Sequence, residues 1–333
     1  MLNHKGSEPV PTVSVIVPCY DQGQYIDEAV DSVLKQTFQS FEIIVINDGS
    51  TDKLTIERLK DFDKPKTRVI HTNNQGVSAA RNRGIQEARG KYILPLDADD
   101  CITQAYLEQA VQVLNHQPEV GIVYGQAELF GERSGFWHLP DYQFPNILLE
   151  NVIFNSALFH KTDWELVGGY RSNMVAGLED YDFWLYLIEL GRKIVRLPEV
   201  VYLYRQRPNS RNSSIQFEQI VECYTQIFHN HIKLYTKNVD TLFRAYLTCQ
   251  NREHRHIAEL AVVREKLHHT QAELQTTQAH LRQSQAELEI NQTQLCQSQA
   301  EAEAAQMMIV AMESSKFWKI RKVWLSFKKM FFL

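Results

Sequence analysis

Lys91-Tyr92-Ile93-Leu94-Pro95-Leu96-Asp97-Ala98-Asp99-Asp100 changes character halfway along. Its first half is a short apolar run led by an aromatic and a β-branched residue, the pattern of a buried strand. Its second half puts three carboxylates into four residues. Asp is rarely buried without a partner, and such a cluster repels itself when dry and unpaired. A strand ending in Asp-x-Asp presents its carboxylates at the carboxyl edge of a sheet, where open α/β folds bind ligands. Two carboxylates at i and i+2, with phosphates as the remaining ligands, suit a hard divalent cation, Mg²⁺ or Mn²⁺. The competing reading is a solvated acidic turn that caps a helix starting near Thr103.

Upstream, the same strand-then-polar pattern repeats. Thr12-Val13-Ser14-Val15-Ile16-Val17-Pro18 reads as a strand buried on both faces, and it breaks at Pro18-Cys19-Tyr20-Asp21. A helical pattern with Ile26, Val30, Val33 and Leu34 on one face follows. Phe41 to Ile46 is a second strand, ending in Asn47-Asp48-Gly49-Ser50-Thr51. A helix (Leu54 to Lys60), a strand (Thr67 to His71) and a helix opened by Gly76-Val77-Ser78-Ala79-Ala80-Arg81-Asn82-Arg83-Gly84 complete the approach. This alternation predicts an α/β fold with a doubly wound, mostly parallel sheet, right-handed crossovers and one ligand crevice. In that crevice Tyr20 can cover a base, Asp48 can accept from a base N–H and Arg81 can face phosphate. Taken singly, each has a plainer reading, as core packing, a turn residue and a surface charge. No GxGxxG or Walker A loop follows any strand. A metal on Asp-x-Asp then has to neutralise the diphosphate.

The ordered set Val13-Ser14-Val15-Ile16-Val17-Pro18-Cys19-Tyr20-Asp21, Asn47-Asp48-Gly49-Ser50-Thr51, Gly76-Val77-Ser78-Ala79-Ala80-Arg81-Asn82 and Asp97-Ala98-Asp99-Asp100 resembles the family 2 glycosyltransferases of the GT-A fold. The resemblance runs from about residue 12 to about residue 215. It implies an inverting enzyme that moves a sugar from a nucleotide diphosphate sugar to a hydroxyl acceptor, in cell-surface polysaccharide or glycan assembly. It places Pro18, Tyr20, Asp21, Asp48, Arg81 and Asp97 at the nucleotide, Asp21 standing where the family usually has Asn. The cation, Mn²⁺ or Mg²⁺, falls to Asp99 directly and to Asp97, which holds the ribose or a metal-bound water. Further along, Gly177-Leu178-Glu179-Asp180-Tyr181-Asp182-Phe183-Trp184 is similar to the family's Glu-Asp motif at a helix start. Direct displacement at an anomeric carbon needs a carboxylate to take the proton of the attacking hydroxyl. By resemblance that base is Asp180, with Glu179 and Trp184 in support. The plainer reading is that acidic residues favour a first helical turn.

Val200 to Ser210 resembles the family's closing Tyr-Arg-x-His segment, with Arg207 at the His position. Guanidinium cannot coordinate a cation. Arg205 and Arg207 are therefore expected to neutralise leaving-group phosphate from a mobile lid, the alternative being a solvated loop. Between these motifs the pattern predicts a helix from Thr103 to Asn115, a strand from Val120 to Tyr124, a loop-like acceptor surface from Phe130 to Phe154 and a glycine-capped helix end at Trp164 to Tyr170.

Past His254 the composition shifts to Gln, Ala, Glu and Leu, and Leu260, Leu267, Leu274, Leu281, Leu288 and Leu295 recur every seven residues. That heptad predicts a coiled coil and a homodimer, weakened by polar residues such as Thr270, Thr277 and Asn291 at the partner positions. The tail carries Lys316, Lys319, Arg321, Lys322, Lys328 and Lys329, with Phe317, Ile320, Trp324, Phe327 and Phe331 at helical spacing. A basic amphipathic helix of this kind suits an anionic membrane surface. The expected domains are a disordered 1–11, a nucleotide-sugar-binding half at 12–110, an acceptor-binding half at 111–217, a helical linker at 218–254, the coiled coil at 255–312 and the tail at 313–333.

Composition sets the remaining bounds. The 333 residues are 44% hydrophobic and 23% charged, ordinary for a globular chain. A net charge of -5 gives no argument for nucleic acid as a partner. Five scattered cysteines without a CxxC pair read as free thiols. With no apolar leader or 18-residue apolar run, the expected place is the cytoplasm, peripheral to the membrane, with a lipid-linked glycan as an eligible acceptor. Two other functions compete. One is a catalytically weak scaffold that recruits partners through its coiled coil. The other is a nucleotidyltransferase, which would need a glycine- and basic-rich loop that Pro18 to Gln24 lacks.

Overall fold

The structure, a computed structural model, describes residues 9–207 and 215–331. Residues 1–8 of the expected disordered N-terminus, and Pro208 to Ser210 of the expected lid, lie outside them. The chain forms two compact units, one ending at Leu247 and the other starting at Thr248.

The first unit is built on one sheet. Its strands are β1 (Val13–Cys19), β2 (Phe41–Asp48), β3 (Thr67–Thr72), β4 (Tyr92–Pro95), β5 (Cys101–Ile102), β6 (Val120–Gly131), β7 (Gly135–Trp137), β8 (Leu158–His160) and β9 (Lys193–Gln206). The order is β3-β2-β1-β4-β8-β6-β9-β5, with β7 on β6. Every residue of β1, β2 and β4 is buried, as β-branched runs without alternation require of strands covered on both faces. These strands pair in parallel, Val15 opposite Ile43 on one side and Leu94 on the other. Covering helices are α1 (Ile26–Leu34), α2 (Lys53–Lys60), α3 (Val77–Glu87) and α4 (Tyr106–His116). On α1 the buried Ile26, Ala29, Val30 and Val33 form one stripe. Gly90, just before β4, lets the chain pass close to β1. A Cβ there would sit 2.6 Å from the Ser14 nitrogen, while Gly90 N–H donates to Ser14 Oγ at 2.9 Å.

Beyond β4 the sheet becomes mixed. The three-residue β8 pairs antiparallel with both β4 and β6, and β9 runs parallel to β6. The segment expected as a mobile lid is, through Gln206, the end of β9. It is paired to β6 from Gln126/Val200 to Gly131/Gln206 and to β5 at Cys101/Leu203. Ladder hydrogen bonds and the burial of Val201 and Tyr202 fix it. The loop-like stretch from Phe130 contains the end of β6, β7 and a 3-10 turn at Asn146–Leu148 whose Ile147 and Leu148 are buried. Helix α5 (Lys161–Val167) ends on Gly168 in the left-handed region, as its glycine predicts. Helix α6 (Glu179–Glu189) follows. Helices α7 (Phe217–Asn230) and α8 (Ile232–Lys237) pack on the sheet unit through Cys223, Ile227 and Tyr235, and Tyr235 donates to the Leu148 carbonyl at 2.7 Å.

Helix α9 runs from Val239 to Ser314 without a break and none of its residues is buried. The six heptad leucines are all exposed within this chain. Helix α10 (Lys316–Phe331) exposes Phe317, Ile320, Trp324 and Phe327. Among the described residues, no helix is long and apolar enough to cross a membrane.

Candidate active site

The carboxyl ends of β1, β2 and β4 open into a cleft of about 740 Å³. Pro18, Tyr20, Asp48, Arg81, Asp97 and Asp99 line it from the parallel half of the sheet. Glu179 and Asp180 from the head of α6, Arg207 beyond β9, and the aromatics Trp137 and Tyr204 line it from the other side. The parallel topology explains the convergence, because each strand delivers the turn that follows it to the same edge.

Arg81, which lines the cleft, is only 2% exposed. Its Nη2 donates to Asp97 Oδ1 at 2.9 Å and its Nη1 to Glu179 Oε1 at 2.7 Å. The guanidinium expected to face phosphate thus bridges two carboxylates. Burial by itself would lower its pKa. The charges of Asp97 and Glu179 overcome that and hold it firmly cationic. Asn155 Nδ2 also donates to Asp97 Oδ1, at 3.1 Å. Asn155 sits between elements with no motif around it, so no sequence signal points to it.

The Asp-x-Asp-Asp turn is anchored from β9. Asp100 is buried and accepts from Tyr202 Oη and, at 2.8 Å, from the Arg205 backbone N–H. Burial, then the charges of Asp99 and Asp97, push the Asp100 carboxyl well above the usual carboxylate range. Asp99 is raised too, by burial and then by Asp97, with Arg207 opposing. Arg207 Nε stands 2.7 Å from Asp99 Oδ2. Arg205 does not line the cleft. Its Nε donates to the Asp99 carbonyl at 2.7 Å, its Nη2 pairs with Glu28, and it packs over Tyr25 and Phe130. The expectation that Arg205 meets leaving-group phosphate is therefore corrected: its charge is spent on a structural clamp. The clamp joins residues 177 positions apart, which no local pattern foretells.

Asp180 is half-buried at the cleft wall. Burial, and then the neighbouring charge of Glu179, push its carboxyl up to about 7, while Arg81 opposes. Leu178 before it has φ 58°, the left-handed region that bulky residues avoid. Strain of that kind, of order 1–2 kcal/mol, is tolerated where it aims functional groups. Trp184 is the other correction. It is fully buried, packed at 5.3 Å from Phe183 and 5.8 Å from Phe159, and supports α6 from the core without reaching the cleft.

On the nucleotide side, Tyr20 stands 45% exposed at the cleft lip. Asp48 is buried and accepts from the backbone N–H groups of Gln75 at 3.0 Å and Gly76 at 2.9 Å. Asp21 does not line the cleft. With φ 52° it turns its carboxylate to Thr51 N–H at 2.7 Å and Asp52 N–H at 2.8 Å. Partial burial would raise its pKa, but these bonds win and hold it below the usual range. Among the described residues no group of three or more His, Cys, Asp or Glu can hold a metal. A cation on Asp97 and Asp99 would have hard oxygen donors, as Mg²⁺ and Mn²⁺ require, and would complete its shell from phosphate and water.

The model of glycosyl transferase family 2 matches residues 14–178. A Haemophilus influenzae protein described as an uncharacterized glycosyltransferase is 32% identical over 230 residues, 64% of this chain and 71% of its own. The fold is similar to that of S. aureus TarS residues 1–349, solved in complex with UDP-GlcNAc, with a TM-score of 0.55 and 22% identity over 66% of each chain. It is also similar to the mannosyltransferase PcManGT from Pyrobaculum calidifontis, solved with GDP-Man and Mn²⁺, with a TM-score of 0.50 and 21% identity over 68% of this chain and 69% of that one. The sheet, the motif order and the sequence identity agree, and they favour the enzyme over the scaffold: the chain belongs to glycosyl transferase family 2 and is a glycosyltransferase.

Proposed function

We infer that the enzyme transfers a sugar from a nucleotide diphosphate sugar to a hydroxyl acceptor with inversion at the anomeric carbon. The observation that carries this reading is Asp180, a carboxylate raised to about 7 in the cleft that also holds Asp97 and Asp99. A base working near neutral pH needs such a value. Asp180 takes the proton of the acceptor hydroxyl. Glu179, tied to Arg81, fixes the helix turn that carries it. Tyr20 covers the base, with Pro18 and Asp48 beside it. Asp99, with Asp97 at the ribose or a bound water, would hold a divalent cation. When bound, that cation neutralises charge on the leaving diphosphate. The test is donor hydrolysis across a panel of UDP- and GDP-linked sugars with Mn²⁺ or Mg²⁺. Turnover of one donor, lost in excess chelator, is expected. No turnover of any donor overturns the transferase chemistry, and turnover undiminished by chelator removes the cation.

The exposed leucine row of α9 supports self-association, and the basic aromatic α10 supports docking to an anionic membrane where a lipid-linked glycan would be the acceptor. Roughly 1 kcal/mol per basic residue near an anionic leaflet gives reversible binding, and a dimer presents two tails. Full-length protein should sediment with anionic vesicles and be partly released by salt, which screens Lys and Arg. A chain lacking residues 255–333 should be monomeric and stay in the supernatant. If full-length protein also stays there, the membrane part of the proposal fails.

A further inference from the structure

We propose that Arg207 is the resident counter-cation of Asp99 and yields that carboxylate to a divalent cation only when a nucleoside diphosphate enters the cleft. The inference rests on the reading of Asp99 as the cation ligand. Two arginines leave the end of β9, and they are held in different ways. Arg205 is locked: Nε bonds the Asp99 carbonyl, Nη2 pairs with Glu28, and the guanidinium stands 4.2 Å from the Phe130 ring and 4.8 Å from Tyr25. Arg207 touches the Asp99 side chain at 2.7 Å, but its Nε is not aligned for a hydrogen bond. The contact is ionic, and the guanidinium otherwise stands 5.9 Å from the Tyr25 ring. It is a contact that can be exchanged.

A metal ion on Asp99 would stand beside the Arg207 guanidinium on the same carboxylate. Two positive charges a few ångströms apart repel by several kcal/mol at the dielectric of a protein surface. Without an anionic ligand, releasing Asp99 would leave the Arg207 guanidinium, about one-quarter exposed, with its charge uncompensated. With a diphosphate present, Arg207 has a second anion within the same cleft, which it already lines. Cation and nucleotide then bind with positive coupling, and the coupling is reciprocal. Arg207 is a positioning residue here. It holds the Asp99 side chain in place beforehand and turns to phosphate afterwards.

The experiment measures Mn²⁺ binding to the full chain by electron paramagnetic resonance, alone and with UDP or GDP, after subtracting the Mn²⁺ held by free nucleotide. Wild-type protein should bind Mn²⁺ weakly alone and at least about tenfold more tightly with the matching diphosphate. Arg207→Gln should bind Mn²⁺ alone roughly three- to tenfold more tightly than wild type, and gain less from nucleotide. Arg207→Lys keeps the charge and should follow wild type, which separates a charge effect from a change of shape. Equal Mn²⁺ affinity of wild type and Arg207→Gln without nucleotide, with normal uptake when nucleotide is added, overturns the role of Arg207 and leaves Asp99 as the ligand. No Mn²⁺ uptake by either protein with UDP or GDP overturns both.

Discussion

Asp180→Asn leaves donor binding in place and lowers transfer by roughly a hundredfold to ten-thousandfold, the range a general base contributes. The substitution keeps the shape and removes the proton acceptor. The wild-type pH profile carries the same signature. Burial and Glu179 let Asp180 keep its proton up to about pH 7. The base form is therefore lost as pH falls through that value, and transfer should drop about tenfold per unit below it. In Asp180→Asn that limb should vanish. Rate measurements from pH 5 to pH 9 on both proteins read the effect. Near-normal transfer by the variant would move the base to Glu179 or another carboxylate.

Arg81→Met unfolds the enzyme at markedly lower urea concentration, by roughly 3–5 kcal/mol, because it removes the one buried cation that two carboxylates share. Glu179 loses its 2.7 Å partner and Asp97 its 2.9 Å partner in one step. Arg81→Lys should recover only part of the loss, since a single ammonium lacks the planar fork that reaches both. Equilibrium unfolding in urea is the measurement. A midpoint within experimental scatter of wild type would show that the bridge contributes little to stability.

The parallel half of the fold was legible because burial on both faces leaves a mark. Val13 to Val17 and Ile43 to Ile46 have no polar alternation, so they read as central strands. Asp97 and Asp99 were legible as strand-end carboxylates for the same reason. Asp180 was legible only through its resemblance to a family motif, since an acid in a first helical turn has a plainer explanation. The antiparallel β8 was not legible. Its three residues carry no period, and partners 60 or more positions away in β4 define it. The carboxylate partners of Arg81 were illegible on a similar point. Its neighbours Asp97 and Glu179 lie 16 and 98 positions along the chain, and the pairing exists only once α6 docks. Trp184 shows a further limit of spacing. Four positions separate it from Asp180, yet the helix face it shares turns into the aromatic core at Phe159 and Phe183.

The two bonds that Asp48 accepts from the Gln75 and Gly76 amides have a thermodynamic consequence. They order the turn before α3 through contacts within the protein itself, so the entropy of ordering that turn belongs to folding and not to ligand capture. A ligand arriving there meets a preorganised wall, and little of its contact energy is consumed in arranging the backbone. Those two amides should accordingly exchange slowly with deuterium in the free enzyme, and ligand should slow them little further.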